Sequence, residues 1–175
     1  MSTPSVLVVG GGPAGSAAAY WLARDGHDVT LVEKKKYPRD KTCGDALTPR
    51  AILQLQDMGF DFDVAGFHRI TGLRSYAGDD LMIEMQWPEH SRFPNWGGVI
   101  RRRDLDEQVA GLAEQEGVSV LEKTTATPVI EEGLLTSVNL TNDDGSETMT
   151  PDVSIIADGS MNRFGRDLGT ARRKD

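Results

Sequence analysis

The sequence lacks several features that would point to particular classes of protein. Cys43 is its only cysteine, so no disulfide can form within the chain, and a reducing compartment is expected. No apolar run approaches the ~20 residues that a membrane-spanning helix requires. The three histidines lie far apart in the sequence, without the spacing of metal ligands. These absences predict a cytoplasmic, soluble protein that binds no metal.

Basic charge is also scarce. The chain has 27 acidic residues against 19 lysines and arginines, which gives a net charge of −8. A nucleic-acid binder needs a basic face for phosphate contacts, so this class is not expected. The 175 residues, 38% of them hydrophobic, suffice for one compact domain or for one domain and part of a second.

The first 33 residues have the pattern of a βαβ unit. Ser5–Val9 is a short apolar run typical of a buried parallel strand, and Asp28–Glu33 predicts a second one. Gly26 is placed to end the helix between them. The inner face of that helix is predicted from helical spacing to consist of Ala14, Ala17, Ala18, Trp21 and Leu22.

The remaining pattern predicts an α/β fold: a Rossmann-like parallel sheet, a small antiparallel meander and part of a second antiparallel layer. Thr48-Pro49 begins a helix that ends near Gly59, and another helix ends at Gly117. The tail from Arg163 to Asp175 is polar and ends without an obvious terminating element. The predicted strands are Ile70–Tyr76, Leu81–Trp87, Gly98–Ile100, Val118–Leu121, Val129–Glu131, Leu135–Thr141, Glu147–Thr150 and Val153–Ala157.

A glycine-rich turn, Gly10-Gly11-Gly12-Pro13-Ala14-Gly15, follows the first strand and opens the first helix. Gly10 permits the tight turn, and Gly12 lets the backbone approach a pyrophosphate closely. Gly15 lets the helix pack closely on the strand. Glu33 follows Gly10 by 23 residues, near the ~20 expected for a carboxylate that binds ribose hydroxyls. Glycine-rich turns also occur for structural reasons alone, but this context predicts a dinucleotide site, and Glu33 disfavours NADP.

Four separated segments resemble the geranylgeranyl reductase family of flavoproteins, within the para-hydroxybenzoate-hydroxylase-like fold group. They are GGGPAGSAAA, YPRDKTCGDALTPRAI, RRRDLDEQVAGLAEQEGV and IIADGSMNRFGRDLG. Within that family, the segments resemble the actinobacterial menaquinone reductases. The resemblance implies FAD as the cofactor. It also implies that residues 1–175 form an FAD-binding domain, incomplete at its C-terminus, in which 66–98 are an inserted segment of the substrate layer.

The resemblance also implies roles for residues after the second strand. Cys43, Gly44 and Asp45 would lie near the flavin ring and the ribityl chain, and Ala46 stands where the family usually has glycine. Cys43 is a catalytic candidate that would line the reducing face or assist proton delivery. The alternative is that it is a small, partly buried apolar residue.

Further cofactor-binding residues follow from the same resemblance. The family's arginine element corresponds to Arg102, Leu105 and Asp106, and its arginine would bind the cofactor phosphates. The backbone around Thr125 and Ala126 would border the adenine.

The last strand leads into the family's second fingerprint. Asp158-Gly159 would support the cofactor site, although Asn162 stands where the family often has serine, and Arg166 matches a following arginine. Lys34 either contacts the adenosine or belongs to a solvated basic loop.

The implied reaction is hydride transfer from reduced FAD to an isoprenoid carbon–carbon double bond. The substrate would be a prenylated quinone or a prenyl lipid, reached by peripheral contact with a membrane surface. Two alternatives remain: a flavin monooxygenase or halogenase on the same fold, and a partial, non-catalytic nucleotide-binding chain. The second arises because the family's later Gly-Asp motif and the strands that complete the substrate pocket are absent from the sequence. The oligomeric state is left open.

Overall fold

The computed structural model describes residues 3–43, 45–78, 81–160 and 163–170. These residues form two compact units. The first comprises the chain up to Arg39 together with the chain from Asp106 onward, and the second comprises Asp40–Leu105. Residues 66–98 fall within the second unit, and their role as an inserted segment stays a prediction.

The predicted helices and strands occur in the predicted order, with additional elements at Ala46–Leu47 and Arg163–Asp167. In sequence they are β1 (Ser5–Val9), α1 (Pro13–Arg24), β2 (Asp28–Val32), β3 (Ala46–Leu47), α2 (Pro49–Asp57), β4 (His68–Ile70), β5 (Gly72–Ala77), β6 (Leu81–Gln86), β7 (Gly97–Val99), α3 (Arg102–Gln115), β8 (Ser119–Leu121), β9 (Thr125–Glu131), β10 (Leu134–Asn142), β11 (Gly145–Met149), β12 (Val153–Ile156) and α4 (Arg163–Asp167). No described helix has both the length and the apolar character needed to cross a membrane.

A parallel sheet with the order β12-β1-β2-β8 forms the centre of the first unit. In the register, Val8 lies beside Leu31 of β2 on one side and beside Ile155 of β12 on the other. The chain leaves β1 toward β2 and later returns to the opposite side of β1 as β12, so the strand order reverses at β1. In open α/β sheets, ligands bind beyond the carboxyl ends of the strands at such a reversal.

An antiparallel meander with the order β11-β10-β9 covers one face of this sheet. Strand alternation directs Val6 and Val8 to the opposite face. The predicted α/β fold class, with its parallel sheet and its meander, is confirmed. The core between sheet and meander consists of Leu7, Val9, Val32, Val138, Leu140 and Phe164.

The predicted inner face of α1 is wrong. The helix buries Gly15, Ser16, Ala19 and Tyr20, whereas Trp21 is 39% exposed. The reason is Gly15, whose missing side chain lets the helix lie against the carbonyl oxygen of Gly10 and the Ala157 side chain. That contact determines which face of the helix is buried. A prediction from the spacing of apolar residues does not include glycine and serine, and therefore misses this face.

The chain from Arg163 onward contains an element that the sequence pattern did not indicate. A short helix, α4, forms there and buries Phe164, which is 3% exposed and belongs to the core under the meander. Asp158 accepts a hydrogen bond from the Phe164 amide at 3.1 Å. Phe164, with the partly buried Leu168 packed against the same core, thus anchors a segment whose sequence is mostly polar.

The second unit contains α2, a three-stranded sheet with the order β3-β7-β4, and the β5–β6 hairpin. Thr48 caps α2 as predicted, since its hydroxyl accepts from the Ala51 amide at 3.4 Å. Ile52 and Leu55 form the buried edge of this helix. The predicted strand over 70–76 is interrupted at Thr71, which separates β4 from β5.

Candidate functional site

The glycine turn lies beyond the carboxyl end of β1, at the reversal of strand order. Gly10 has a φ of +105°, and a Cβ there would stand 2.5 Å from the carbonyl oxygen of Ala157 and 2.8 Å from the Cα of Asp158. Backbone atoms cannot yield to a side chain, so only glycine fits. The turn is thereby held against the end of β12, the strand that leads into the Asp158-Gly159 fingerprint.

The turn presents backbone donors at the N-terminus of α1. Gly12 is the N-cap residue and has no side chain to cap the helix, and Pro13 at the first helical position has no N–H. The first helical hydrogen bond runs from the Ser16 amide to the Gly12 carbonyl at 2.9 Å. Within the described part of the chain, the amides of Gly12, Ala14 and Gly15 have no acceptor. Together with the positive end of the helix dipole, these amides suit an anionic diphosphate.

Glu33, directly after β2, points at this turn. One carboxylate oxygen, Oε2, accepts the Gly11 amide at 3.1 Å, and the other, Oε1, accepts the Lys35 amide at 3.0 Å. The residue is only 5% exposed. Its backbone is fixed as well, because its carbonyl accepts from the Thr124 amide at 3.0 Å. A fixed carboxylate beside the glycine turn is the arrangement that the ribose prediction requires.

A buried arginine, which the sequence analysis did not assign, joins this carboxylate to the turn. Arg39 Nη2 lies 2.9 Å from Glu33 Oε2 and donates to the Gly11 carbonyl at 3.1 Å. Arg39 Nη1 donates to Asp106 Oδ2 at 2.9 Å, and Asp106 is fully buried. The Tyr37 hydroxyl also donates to the Gly11 carbonyl. We call Gly11, Glu33, Tyr37, Arg39 and Asp106 the glycine-turn network.

The phenol of Tyr37 is buried within this network. Burial of its phenol, reinforced by the negative charge of Glu33 and opposed by the positive charge of Arg39, raises its pKa from 10.0 to about 12. A Cβ on Gly11 would collide with the Tyr37 hydroxyl and would approach the Glu33 Cβ to 3.0 Å. Position 11 therefore has to be glycine because of the neighbouring side chains of the protein itself. Within the network, the sequence pattern indicates Gly11 and Glu33, and the resemblance includes Asp106. For Tyr37 and Arg39 the only sequence signal is the segment YPRD, which belongs to the resemblance but indicates no role.

The other predicted residues of the first unit differ in exposure. Lys34 is exposed. Thr125 is exposed at the start of β9, where it pairs with Thr141, and the half-buried Ala126 packs against the core under the meander.

The second fingerprint of the first unit lies at the end of β12. Asp158 is half-buried and fixes α4 through the Phe164 amide. Gly159 is exposed and has a φ of +84°.

The predicted residues of the second unit centre on the start of α3. Asp45 has a φ of +56°, and its Oδ1 accepts the Arg102 amide at 3.1 Å, so its carboxylate caps α3. Ala46 is exposed in β3, where it pairs with Val99, and Cys43 is exposed as well. Gly44 lies outside the described residues.

Arg102 is the first residue of α3 and is half-buried. Asp45 thus has a structural role, the capping of α3, that the sequence pattern did not indicate. The exposure of Cys43 contradicts the alternative in which it is a partly buried apolar residue. Its catalytic role stays a prediction.

Comparison with known proteins agrees with this geometry. A family model described as an FAD binding domain matches residues 3–175. A menaquinone reductase of Mycobacterium tuberculosis (strain ATCC 25618 / H37Rv) is 42% identical over 164 residues, which are 94% of this chain and 40% of that protein. The chain thus spans about 40% of the length of the menaquinone reductases that it matches.

Two solved structures support the fold. A geranylgeranyl bacteriochlorophyll reductase-like protein from Thermoplasma acidophilum matches with a TM-score of 0.78 and 29% identity over 95% of this chain and 42% of that one. The flavin-dependent brominase Bmp2 matches with a TM-score of 0.82 over 97% of this chain and 41% of that one, but at 24% identity it shows the fold alone.

The match to the menaquinone reductases and to the reductase-like structure confirms the resemblance to the geranylgeranyl reductase family. The family model over nearly the whole sequence confirms FAD as the predicted cofactor. This chain belongs to the family of FAD binding domains.

Proposed function

We propose that this chain is the FAD-binding part of a flavoprotein reductase of the menaquinone and geranylgeranyl reductase type, whose substrate is an isoprenoid carbon–carbon double bond. The supporting observation is the uncapped N-terminus of α1, where the amides of Gly12, Ala14 and Gly15 are open beside the fixed Glu33 carboxylate. The 42% identity to a menaquinone reductase supports the reductase type.

The residues of the chain would hold the cofactor by its adenosine diphosphate end. The open amides and the helix dipole would bind the diphosphate, and Glu33 would accept a hydrogen bond from the ribose. Thr125 and Ala126 would border the adenine, Lys34 would lie near the adenosine, and Asp158-Gly159 would support the turn. When bound, FAD would supply the hydride chemistry of the reaction.

The proposal extends to the second unit. Cys43, Gly44, Asp45 and Ala46 would lie near the flavin and the ribityl chain, and Arg102 would contribute a fixed positive charge to phosphate binding. Cys43 is exposed, and it would line the flavin or deliver a proton. A prenylated quinone or a prenyl lipid would be the substrate, met at a membrane surface.

Titration of the purified 175-residue chain with FAD, followed by flavin absorbance and by the melting temperature, tests cofactor binding. We expect saturable binding and a rise in melting temperature, because a ligand of the native state stabilises it by mass action. Gly12→Val should abolish binding by blocking the diphosphate cradle, whereas Gly111→Val, on the middle of α3, is the control. Absence of any saturable FAD binding would contradict the proposal.

A second assay tests the reaction type. The chain, loaded with FAD and reduced chemically without oxygen, is incubated with menaquinone. The lipid is then extracted and its quinol ring is reoxidised in air to the quinone, so that the remaining gain of two hydrogen atoms, followed by mass spectrometry, counts reduced isoprenoid double bonds. Reduction without oxygen supports the reductase. Product formation that requires stoichiometric oxygen would instead indicate a monooxygenase or halogenase, and FAD binding without turnover would indicate a non-catalytic chain.

A further inference from the structure

We propose that Arg39, held by Asp106, is a positioning residue that fixes the Glu33 carboxylate and so makes nucleotide binding depend on a free ribose hydroxyl. The inference rests on the proposed function, since it concerns the adenosine end of the same site. It gives Arg39 and Asp106 a role in positioning Glu33. The resemblance implied no such role for either residue.

The first step concerns the acceptor directions of Glu33. A carboxylate has about four such directions, two on each oxygen. On Oε2 one is used by the Gly11 amide at 3.1 Å, and the Arg39 guanidinium lies 2.9 Å from the same oxygen as an ion pair. On Oε1 one is used, by the Lys35 amide at 3.0 Å. Among the described residues, the second direction of Oε1 has no donor and is the place for a hydroxyl of a bound ribose.

The second step concerns what prevents the carboxylate from turning. Arg39 is a planar fork with donors in a fixed geometry. One of its terminal nitrogens contacts Glu33 and the other contacts Asp106, both at 2.9 Å. The side chains of all three residues are at most 9% exposed. Rotation of the Glu33 carboxylate would break a buried, charge-assisted contact, so its orientation is held even without a ligand.

The third step concerns the role of Asp106. Its carboxylate is fully buried in α3 and accepts from the nitrogen of Arg39 that does not face Glu33. The same arginine also donates to the Gly11 carbonyl at 3.1 Å, while the Gly11 amide donates to Glu33. The Gly11 peptide is therefore held from both sides. Asp106 acts on the ribose acceptor through Arg39 and not by direct contact.

The consequence is a specific form of selectivity. The open direction of Oε1 accepts a hydroxyl hydrogen, but a phosphate at the same place would bring like charges together. With Glu33 fixed, removal of the donating hydroxyl leaves a buried acceptor without a partner, which should weaken binding roughly 10-fold to 100-fold. If Glu33 is free to rotate, the site distinguishes less well between nucleotides with and without the hydroxyl, and the loss of affinity on removing the hydroxyl is smaller.

The test uses ADP, 2′-deoxy-ADP and 3′-deoxy-ADP as probes on the whole chain, with dissociation constants from ligand-observed NMR titration. In the unaltered protein, at least one deoxy analogue should bind roughly tenfold or more weakly than ADP. Arg39→Lys keeps the charge but loses the fork, and should reduce that ratio to below about threefold. Asp106→Asn should also reduce the ratio of the two dissociation constants, but by less than Arg39→Lys. The ratio separates positioning from general stability, since a merely structural loss weakens ADP and its analogues by the same factor.

Matched controls and a measurement without ligand complete the experiment. Arg101→Lys and Asp104→Asn alter an ion pair at the start of α3, between the exposed Arg101 and the half-buried Asp104 at 2.8 Å, and should leave the ratio unchanged. Hydrogen exchange of the Gly11 and Lys35 amides should accelerate in Arg39→Lys, because both donate to Glu33. If ADP binds but its ratio to the deoxy analogues is the same in Arg39→Lys, or if both amides keep their protection, the inference is overturned while the proposed function stands. If the unaltered chain binds neither ADP nor FAD, the proposed function fails as well.

Discussion

The glycine-turn network and the β5–β6 hairpin show opposite ways of using charged and apolar residues. In the network, Arg39 lies between two buried carboxylates and a backbone carbonyl, and none of these side chains is more than 9% exposed. In the hairpin, the contact between Arg74 and Glu84 joins side chains that are 63% and 40% exposed. The same type of ion pair therefore has a very different solvent environment in the two regions.

The apolar residues of the hairpin make the contrast sharper. Leu73 pairs with Met85 and Ala77 pairs with Leu81, so these side chains share one face with Ile83. That face is exposed, with Leu81 at 52% and Ile83 at 49%. The polar pair of Arg74 and Glu84 lies on the other face, together with the exposed Tyr76 and Met82. The hairpin has exposed apolar side chains on both faces and no covering layer among the described residues, whereas the network finds its partners within its own unit. We therefore expect changes to the network to affect the stability of the chain far more than changes to the hairpin.

The largest effect is expected at the first glycine of the turn. Gly10→Ala places a Cβ within 2.5 Å of the Ala157 carbonyl oxygen at a φ of +105°. Strain and overlap with backbone should together lower the free energy of unfolding by on the order of 4 kcal/mol, measured by urea denaturation. Gly111→Ala is the control, because its Cβ meets nothing within 4 Å in α3. That change should stabilise the chain by about 0.5–1 kcal/mol. Equal effects of the two changes would contradict the geometry of the turn.

The next largest effect separates the two ion pairs. Asp106→Ala removes a fully buried partner of Arg39 and should destabilise the chain by about 3 kcal/mol, since it leaves a buried charge with less compensation. Arg74→Ala removes one member of the exposed pair and should change the free energy of unfolding by less than about 1 kcal/mol. The measurement is again urea denaturation. A comparable loss from both changes would show that burial does not distinguish the two regions.

A third effect concerns the pH dependence of stability. The pKa of Tyr37 is about 12 in the folded chain against 10.0 for an ordinary tyrosine, because its phenol is buried near Glu33. Between about pH 10 and 12 the unfolded chain loses this proton while the folded chain keeps it. The free energy of unfolding should therefore fall by on the order of 2 kcal/mol as pH rises through this range.

Replacement of the phenol isolates this contribution. Tyr37→Phe should make the alkaline fall in stability shallower, whereas Tyr76→Phe in the hairpin, at a residue that is 69% exposed, should leave the slope unchanged. Chemical denaturation at several alkaline pH values measures both. Identical slopes for the two variants would contradict a buried, proton-retaining Tyr37.

The fold was predictable where a periodic pattern decides the structure. The run Ser5–Val9, the cap at Thr48 and the glycines that end helices all follow from local chemistry, and the structure contains each of them. The face of α1 was not predictable from apolar spacing. It depends on the contact of Gly15 with the backbone of Gly10, which is a tertiary contact that glycine permits by its lack of a side chain.

The candidate site was predictable in part for the same reason. Gly10, Gly12, Gly15 and Glu33 belong to a spacing that a βαβ unit explains, so their proximity followed from the sequence. Arg39 had no such pattern. Its partner Asp106 lies 67 positions later in the chain, and only folding brings the two carboxylates to one guanidinium. A polar residue whose partner is distant in sequence looks like an ordinary loop charge until the structure is known.

The smallest effect is expected in the hairpin, where Ile83→Thr retains the β-branched shape and adds a hydroxyl on the exposed face. Because Ile83 is 49% exposed, we expect the free energy of unfolding to change by no more than about 0.5 kcal/mol. The same substitution at Ile52, which is fully buried in α2, is the matched comparison within the second unit and should cost several times more. Urea denaturation gives both values, and binding of a fluorescent apolar dye should decrease in Ile83→Thr alone. If Ile83→Thr were as costly as Ile52→Thr, the apolar face of the hairpin would have to be covered in solution, and a molecular-mass measurement at several concentrations would show whether a second copy of the chain covers it.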